Sequence, residues 1–269
     1  MKSIIKGAKR YGAIYSIIVK NCILNELEYR TNFFMQIFAS LVSLLTHFVY
    51  VIVVYRSGVN IAGLTSDHIL LFTGTYFIMT AIYAFFFVNN FFAFQGHIRH
   101  GTMDMYLIKP VSLQFILSLR LINVMGIPDF IVGIGLVCVA WSRLGLETNA
   151  MQLLGYAGYI IGGGVMTYAL MMLPQVLAFW FTNTSSLYNL GAQLWEANTM
   201  PMVIYNRMIQ AIGTFVFPIF VVSNIAPLYV LDKLTITGLV WGICAPFLFF
   251  ALVRVLFLQG LKRYTSASN

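Results

Sequence analysis

The sequence predicts an all-α integral membrane protein, and three observations lead to that fold class. Of its 269 residues, 60% are hydrophobic and only 9% are charged, whereas an average soluble domain is about half apolar and about a quarter charged. Aromatic residues make up 16% of the chain, which suits the aromatic belts found at both membrane interfaces. The apolar residues also form long continuous runs, without the strict alternation that a membrane β-barrel requires.

Six membrane-spanning helices are expected, because a bilayer core about 30 Å thick needs roughly 20 apolar residues per helix. The apolar windows are residues 33–55, 69–94, 121–141, 151–181, 208–231 and 234–253. They contain one charged residue, Asp129. The sequence shows no polar linker and no internal repeat, so we expect residues 1–269 to form a single domain.

Lysine and arginine residues near the window ends predict the orientation, because cytoplasmic loops carry an excess of them. Thirteen lie on the side of the two termini and three on the opposite side. We therefore expect both termini in the cytoplasm (N-in/C-in) and the protein in the cytoplasmic (inner) membrane. The net charge of +8 follows from this asymmetry, so it does not indicate a nucleic-acid partner.

Residues 2–23 are predicted to form an amphipathic interfacial helix. An apolar stripe runs along one side of it and basic residues occupy the other, which is typical of a helix lying among anionic lipid head groups. The basic residues of this membrane-surface helix are Lys2, Lys6, Lys9, Arg10 and Lys20. Two interpretations stay open: a passive anchor on membrane lipid, or an elbow helix that also contacts a cytoplasmic partner.

The connection between the second and third windows is much longer than the two to eight residues that commonly join antiparallel helices. Its 95–110 part holds a short amphipathic stretch that ends at a proline. Seven residues of it are candidate contact residues: Arg99, Gly101, Asp104, Tyr106, Leu107, Lys109 and Pro110. The segment either docks in a groove of a soluble protein or lies in the membrane interface without a partner.

In the docked interpretation, Leu107 and Tyr106 fill an apolar groove of the partner, as interface anchors do. Asp104 pairs with the partner or caps its own short helix. Gly101 permits a backbone shape that a side chain would obstruct.

Two further features are polar residues in or beside the windows. Residues 182–207 are expected on the cytoplasmic surface, with Trp195 at the depth of the lipid head groups. A carboxylate inside the membrane is a functional candidate by default. Asp129 therefore lies either on a substrate path or at a structural kink caused by the preceding Pro128.

The sequence lacks the motifs of a self-contained enzyme or pump. The Gly-Lys dipeptide of a Walker A motif does not occur, and Asp129 has no second intramembrane carboxylate with which to form a protease site. His97 and His100 have no cysteine nearby and one close acid, Asp104, so no metal site is predicted. Energy for any transport is expected to come from another chain.

The chain resembles the permease subunits of ABC-2-type ABC transporters, in the compact six-helix group without a large external domain. The layout of the whole chain carries this resemblance, together with Leu27–Phe33, Ile98–Pro110 and Pro201–Tyr205. The Ile98–Pro110 stretch follows the group's pattern of a basic residue, Gly101, Asp104, Leu107 and Pro110. Tyr106 departs from it, since aliphatic residues are common there.

The resemblance implies a transport function with two kinds of protein partner. The N-terminal helix and the loop after the second span would contact a cytoplasmic ATPase, which would bind ATP and Mg, so that this chain binds no cofactor. A second permease copy, identical or related, would complete the pathway for a hydrophobic or amphipathic substrate. Short broken helices would dip in from the outer face near Pro218, Asn224 and Pro227. A substrate-binding membrane subunit or a small secondary carrier is the alternative.

Overall fold

The computed structural model describes residues 2–28, 30–56, 63–124, 126–181 and 185–264, and for parts of the first two helices and of the 185–196 helix it describes the backbone alone. Within these ranges the chain is helical and has no β-strand. The helices are α1 (Lys2–Glu28), α2 (Arg30–Arg56), α3 (Ser66–Arg99), α4 (Asp104–Leu107), α5 (Leu113–Leu119), α6 (Gly126–Arg143), α7 (Ala150–Val176), α8 (Ser185–Glu196), α9 (Arg207–Ala211), α10 (Ile219–Ser223), α11 (Ile225–Val230) and α12 (Ile236–Leu261).

Four of these helices are long and apolar enough to cross a membrane: α3, α6, α7 with its 3₁₀ extension to Phe179, and α12. They correspond to the second, third, fourth and sixth predicted windows. Helix α2 covers the first window with 27 residues, although many of its side chains lie outside the described part. The helix that covers the sixth window is longer than expected, because α12 continues past Val253 to Leu261. Arg254 therefore lies within the helix.

Three of the long helices, α3, α7 and α12, run parallel to one another. The hydroxyl groups of Thr75 in α3 and Tyr156 in α7 are 2.8 Å apart, and near the other end of the same helices the Gln95 amide donates to Gln175 Oε1 at 3.2 Å. Gly162 of α7 packs against Gly242 of α12, so these two glycines permit close packing within one chain. We call the end at which α3, α7 and α12 begin the distal end and the opposite end, which holds Arg99 and Arg120, the basic end.

Helix α6 packs antiparallel against α3 through two glycines. A Cβ atom added to Gly74 or to Gly133 would come within 2.9 Å of the backbone oxygen of the other. Further along, a Cβ on Gly126 would lie 2.7 Å from the Ala81 carbonyl oxygen. The interface therefore brings the two backbones into direct contact and fixes the depth of every residue in α6.

The third predicted window begins too early, since residues 121–124 are not helical and α6 starts at Gly126. The non-helical backbone is instead paired with α3, at a π-helical turn that spans Ala84–Val88. Asn90 donates to the Leu121 carbonyl oxygen at 2.7 Å and accepts from the Leu121 N–H at 2.9 Å. The Asn123 N–H donates to the freed Phe85 carbonyl oxygen. Irregular backbone that is buried in a protein is stable when protein groups satisfy its hydrogen bonds in this way.

The fifth predicted window, 208–231, was wrong as a continuous helix. The chain breaks after a π-helical turn at Ile212–Val216, where Phe217 and Pro218 leave helical geometry, and α10 and α11 are short. Val222 of α10 packs against Gly163 in the middle of α7, whereas the Tyr229 hydroxyl reaches the Met151 carbonyl oxygen at the distal end. The 207–230 segment is thus a hairpin that enters and leaves at the distal end.

The crossing between α7 and this hairpin is made by α8 and the loop that follows it. Trp195 was expected at head-group depth, but it is buried against Tyr83 and Tyr76 of α3, with ring centroids 5.4 and 6.5 Å apart. Beyond it, Val203 packs against the buried cluster of Leu64, Ile69, Phe72 and Leu228 at the distal end. The expected position of Trp195 at head-group depth is therefore wrong, because this side chain packs against α3 in the bundle.

This path also changes the side on which Arg207 lies. Arg207 begins α9 four residues after Val203, at the distal end, and not with the basic residues among which it was counted. Moving it leaves a ratio of twelve to four basic residues, so the asymmetry between the two ends persists.

The hairpin is held by side-chain amides. Asn224 Oδ1 accepts from the Met202 N–H at 2.7 Å, and the Ser223 hydroxyl donates to Asn198 Oδ1 at 3.0 Å. All three polar side chains are buried. The expectation of short broken helices near Pro218, Asn224 and Pro227 is confirmed, because α10 begins directly after Pro218 and α11 begins directly after Asn224.

Candidate functional site

The loop after α3 makes a sharp turn at the basic end and leads into the four-residue helix α4. Gly101 has a φ of +67°, a left-handed conformation that costs glycine little and other residues more. His97 Nδ1 and the Thr102 hydroxyl are 2.8 Å apart, and the Met103 N–H donates to the His97 carbonyl oxygen. The predicted role of Gly101 therefore has a structural basis, and His97 helps to fix the turn.

Tyr106 anchors α4 to the rest of the chain. Its side chain is 5% exposed, and its ring lies edge-on to His97 with centroids 5.1 Å apart. The Arg120 guanidinium is 5.0 Å from the ring centroid and Lys109 Nζ is 5.2 Å from it, distances at which a cation is attracted to an aromatic ring. Tyr106 does not present a surface to a partner, contrary to the expectation for this residue.

Three apolar side chains of the same segment point away from the bundle. Met105 is 57% exposed, Leu107 45% and Ile108 84%. We call these three residues the α4 patch. Leu107 was a sequence-based candidate, but Ile108 and Met105 were not. Their exposure depends on which side of this one-turn helix Tyr106 occupies. The sequence does not show that side, because a helix of four residues is too short to have a recognisable apolar pattern.

Helix α1 braces this loop with its apolar stripe. The Tyr11 ring packs edge-on to Phe115 of α5, with centroids 4.9 Å apart, and its hydroxyl accepts from the Ser112 N–H at 3.0 Å. Farther along, the Cys22 thiol donates to the Arg120 carbonyl oxygen at 3.3 Å. Burial between the two helices raises the pKa of the Tyr15 hydroxyl, and Cys22 contributes in the same direction. Between Tyr11 and Cys22, the part of the predicted stripe whose side chains the structure describes therefore packs on the protein.

The basic residues of α1 separate into two groups. Arg10 donates to the Pro110 carbonyl oxygen at 2.8 Å, so it holds the end of the loop as well as lying on the surface. Lys9 and Lys20 are exposed. The side chains of Lys2 and Lys6 lie outside the described residues.

The remaining charged candidates of the loop lie beside the C-terminal part of the chain and at the end of α3. Burial raises the pKa of the Tyr264 hydroxyl, and the nearby Asp104 carboxylate raises it further. Asp104 thus interacts within its own chain, four residues before Ile108. Arg99 ends α3, and its side chain is exposed.

Asp129 lies far from this loop, in the first turn of α6. The contacts of Gly126 with Ala81 and of Gly133 with Gly74 place it near the middle of the membrane-spanning part of α3. Pro128 is also in that first turn, where proline is tolerated, so it does not kink a longer helix as one interpretation of Asp129 required. Tyr76 interacts electrostatically with Asp129 and with Glu196.

Comparison with known proteins assigns a family. A family model described as "ABC-2 family transporter protein" matches residues 41–268. The match begins within α2 and includes the π-helical turn of α3, the α4 patch, the hairpin and α12. Neither the comparison with curated proteins nor that with solved structures gives a match.

Proposed function

Because the chain belongs to the ABC-2 transporter family and is thus a membrane permease component of an ABC transporter, we propose that it serves an exporter driven by a separate ATPase. The exporter moves a hydrophobic or amphipathic substrate out across the cytoplasmic (inner) membrane. The basic end faces the cytoplasm, with both termini on that side. A second permease copy, identical or related, completes the pathway.

The observation that carries this proposal is the α4 patch. Three apolar side chains are exposed at the basic end on a segment whose backbone is fixed by Gly101, by the buried Tyr106 and by helix α1. Apolar side chains presented on a rigid support are what an interface anchor requires. A soluble ATPase with an apolar groove would bury them, and α1 would transmit the motion of the loop to α5.

The ATPase supplies the chemistry in this proposal. ATP and Mg bind there, since the sequence of this chain lacks the Gly-Lys dipeptide of a Walker A motif. The role of this chain is mechanical: a shift of α4 is passed through the Tyr106–Arg120 contact to the segment that Asn90 ties to α3.

The test is recovery of the ATPase with the purified permease. Tagged wild-type chain, solubilised from its native cells in mild detergent, is expected to retain a protein with a Walker A motif. Ile108→Asp and Leu107→Asp each place a charge in the α4 patch, and recovery should fall at least about tenfold, because one buried unpaired charge costs more than 1.4 kcal/mol.

The matched control is Ile236→Asp, because Ile236 is 82% exposed, like Ile108 at 84%, but lies at the distal end. It should retain the ATPase. Equal recovery with all three variants would contradict docking at α4, and transport that proceeds without any ATPase would favour a secondary carrier.

A further inference from the structure

A long groove runs along the side of the bundle between α3, α5, α7 and α12. Its volume is about 660 Å³. The walls are apolar and include Phe86, Phe115, Ile160 and Phe250. Ile161, which also lines the groove, is 69% exposed. The groove is therefore open along its side, where a membrane protein meets lipid.

One end of the groove is polar. Arg254 of α12 donates to Gln114 Oε1 of α5 at 2.6 Å, and Gln114 Nε2 donates to the Tyr168 hydroxyl at 2.7 Å. The Ser118 hydroxyl is 3.0 Å from the same Tyr168 oxygen. Because arginine has donors only, its contact fixes the orientation of the Gln114 amide. The chain of hydrogen bonds holds the guanidinium at the groove.

The guanidinium retains binding capacity. It carries five N–H donors. Among the described residues, the hydrogen bond to Gln114 is the one that the structure shows for the Arg254 guanidinium. A cation that borders the apolar part of a membrane protein needs an anion or water to compensate its charge. An anionic group at the end of the groove would provide that compensation.

The depth of Arg254 matches the position of a lipid phosphate. Arg254 lies 18 residues after the start of α12, or about 27 Å at 1.5 Å per residue, close to the bilayer core thickness of about 30 Å. Ile160, which also lines the groove, lies eight residues before Tyr168 in α7, or about 12 Å, which is close to half that thickness. From its polar end the groove therefore extends over about the depth of one leaflet.

We propose that this groove binds an anionic phospholipid of the leaflet at the basic end. Phosphate oxygens accept hydrogen bonds from Arg254, and one acyl chain lies along the apolar walls toward Ile160. The net negative charge of the lipid balances the guanidinium, which a zwitterionic lipid does less well. This site does not depend on the proposed exporter function or on an ATPase.

Native mass spectrometry of the purified full chain in detergent tests this proposal, with phosphatidylglycerol and phosphatidylcholine titrated separately. The wild-type chain should bind phosphatidylglycerol more tightly. Arg254→Gln should weaken that binding about tenfold, since a charge-assisted hydrogen bond contributes about 1.5–3 kcal/mol, and Arg254→Lys should keep the preference. Gly164→Leu should weaken binding of both lipids, because Gly164 lines the groove and a Cβ there meets only Ile82, at 3.8 Å.

Two controls match these variants. Arg263→Gln removes an exposed cation just beyond α12. Gly158→Leu adds the same side chain to α7 at a position where an added Cβ meets no neighbouring group within 4 Å. Both should bind lipid like the wild type. If Arg254→Gln does not fold, the comparison of Gly164→Leu with Gly158→Leu tests whether the lipid binds in the groove.

Three results would overturn the proposal. The first is equal affinity for the two lipids in the wild type. The second is unchanged phosphatidylglycerol binding in Arg254→Gln or Gly164→Leu. The third is a loss of the dimer mass in these variants with unchanged lipid adducts, which would assign the groove to a second copy of the chain.

Discussion

Asn90 shows how one side chain makes an irregular buried segment possible. Its amide pairs with both the N–H and the carbonyl oxygen of Leu121, and it also donates to the Phe86 carbonyl oxygen of its own helix at 2.9 Å. Asn90 is buried. A single polar residue therefore satisfies backbone groups on both sides of the junction between α3 and the 121–124 segment.

Replacing Asn90 by leucine should destabilise the protein. Asn90→Leu leaves the Leu121 N–H and carbonyl oxygen without their partner, and each buried unpaired group costs about 1–3 kcal/mol. The unfolding midpoint in detergent, followed by a thiol-reactive fluorophore, should fall by roughly 5 °C or more. Asn206→Ala is the control, because Asn206 is an exposed helix cap and its loss costs about 1 kcal/mol. Similar midpoints for the two variants would contradict the role of Asn90.

Single residues were predicted well where the local chain determines their conformation. Gly101 was selected for its backbone, and its positive φ confirms it. Tyr106 was selected as an outward anchor, and the structure buries it. Its partner Arg120 lies 14 residues away in sequence, and neither helical spacing nor composition connects the two. The role of Arg254 is not evident from the sequence, because the apolar window ends at Val253 whereas the helix continues to Leu261.

At the scale of elements, α1 is the clearest case of a correct pattern with an unforeseen partner. The apolar stripe of α1 was evident from its helical spacing, and it contains Tyr11 and Cys22. The sequence does not show that this stripe packs on α5 and on the Arg120 carbonyl oxygen, about 100 residues later. An amphipathic face shows that something apolar covers it, but it does not distinguish lipid from protein.

Cross-linking tests the packing of α1 on α5. In a background with the three native cysteines replaced, Tyr11→Cys with Phe115→Cys should be joined rapidly by a short bismaleimide, because the two native rings are in contact. Ile17→Cys with Phe115→Cys is the control pair, because Ile17 is 60% exposed on another face of α1. Equal yields from the two pairs would indicate that α1 lies free on the membrane.

For the whole molecule, the sequence predicted the class, the four long spans and the excess of basic residues at one end. It did not predict where the chain crosses between α7 and α12. A hydropathy window measures the apolar character of a segment, and the hairpin of α9, α10 and α11 is as apolar as a spanning helix. Only the contacts of Trp195, Val203 and Val222 show that the crossing precedes Arg207 and that the hairpin returns to the distal end.

Labelling in whole cells distinguishes the two paths. With the native cysteines replaced, Arg207→Cys should react with an impermeant thiol reagent added outside, because Arg207 is exposed at the distal end. Glu147→Cys is the positive control, and Arg263→Cys at the basic end should stay unlabelled. Protection of Arg207→Cys together with labelling of Glu147→Cys would restore the cytoplasmic position first expected for Arg207.

Photo-cross-linking at Ile108 tests most directly whether the α4 patch docks on a separate ATPase. A photoreactive phenylalanine analogue replaces Ile108, and Ile236 carries the same group as the control, since both positions are more than four-fifths exposed. Irradiation of intact cells is expected to join the Ile108 variant to a protein with a Walker A motif and to leave the Ile236 variant unjoined to it. Capture of lipid alone at Ile108, with no ATPase adduct, would contradict docking of the α4 patch on an ATPase.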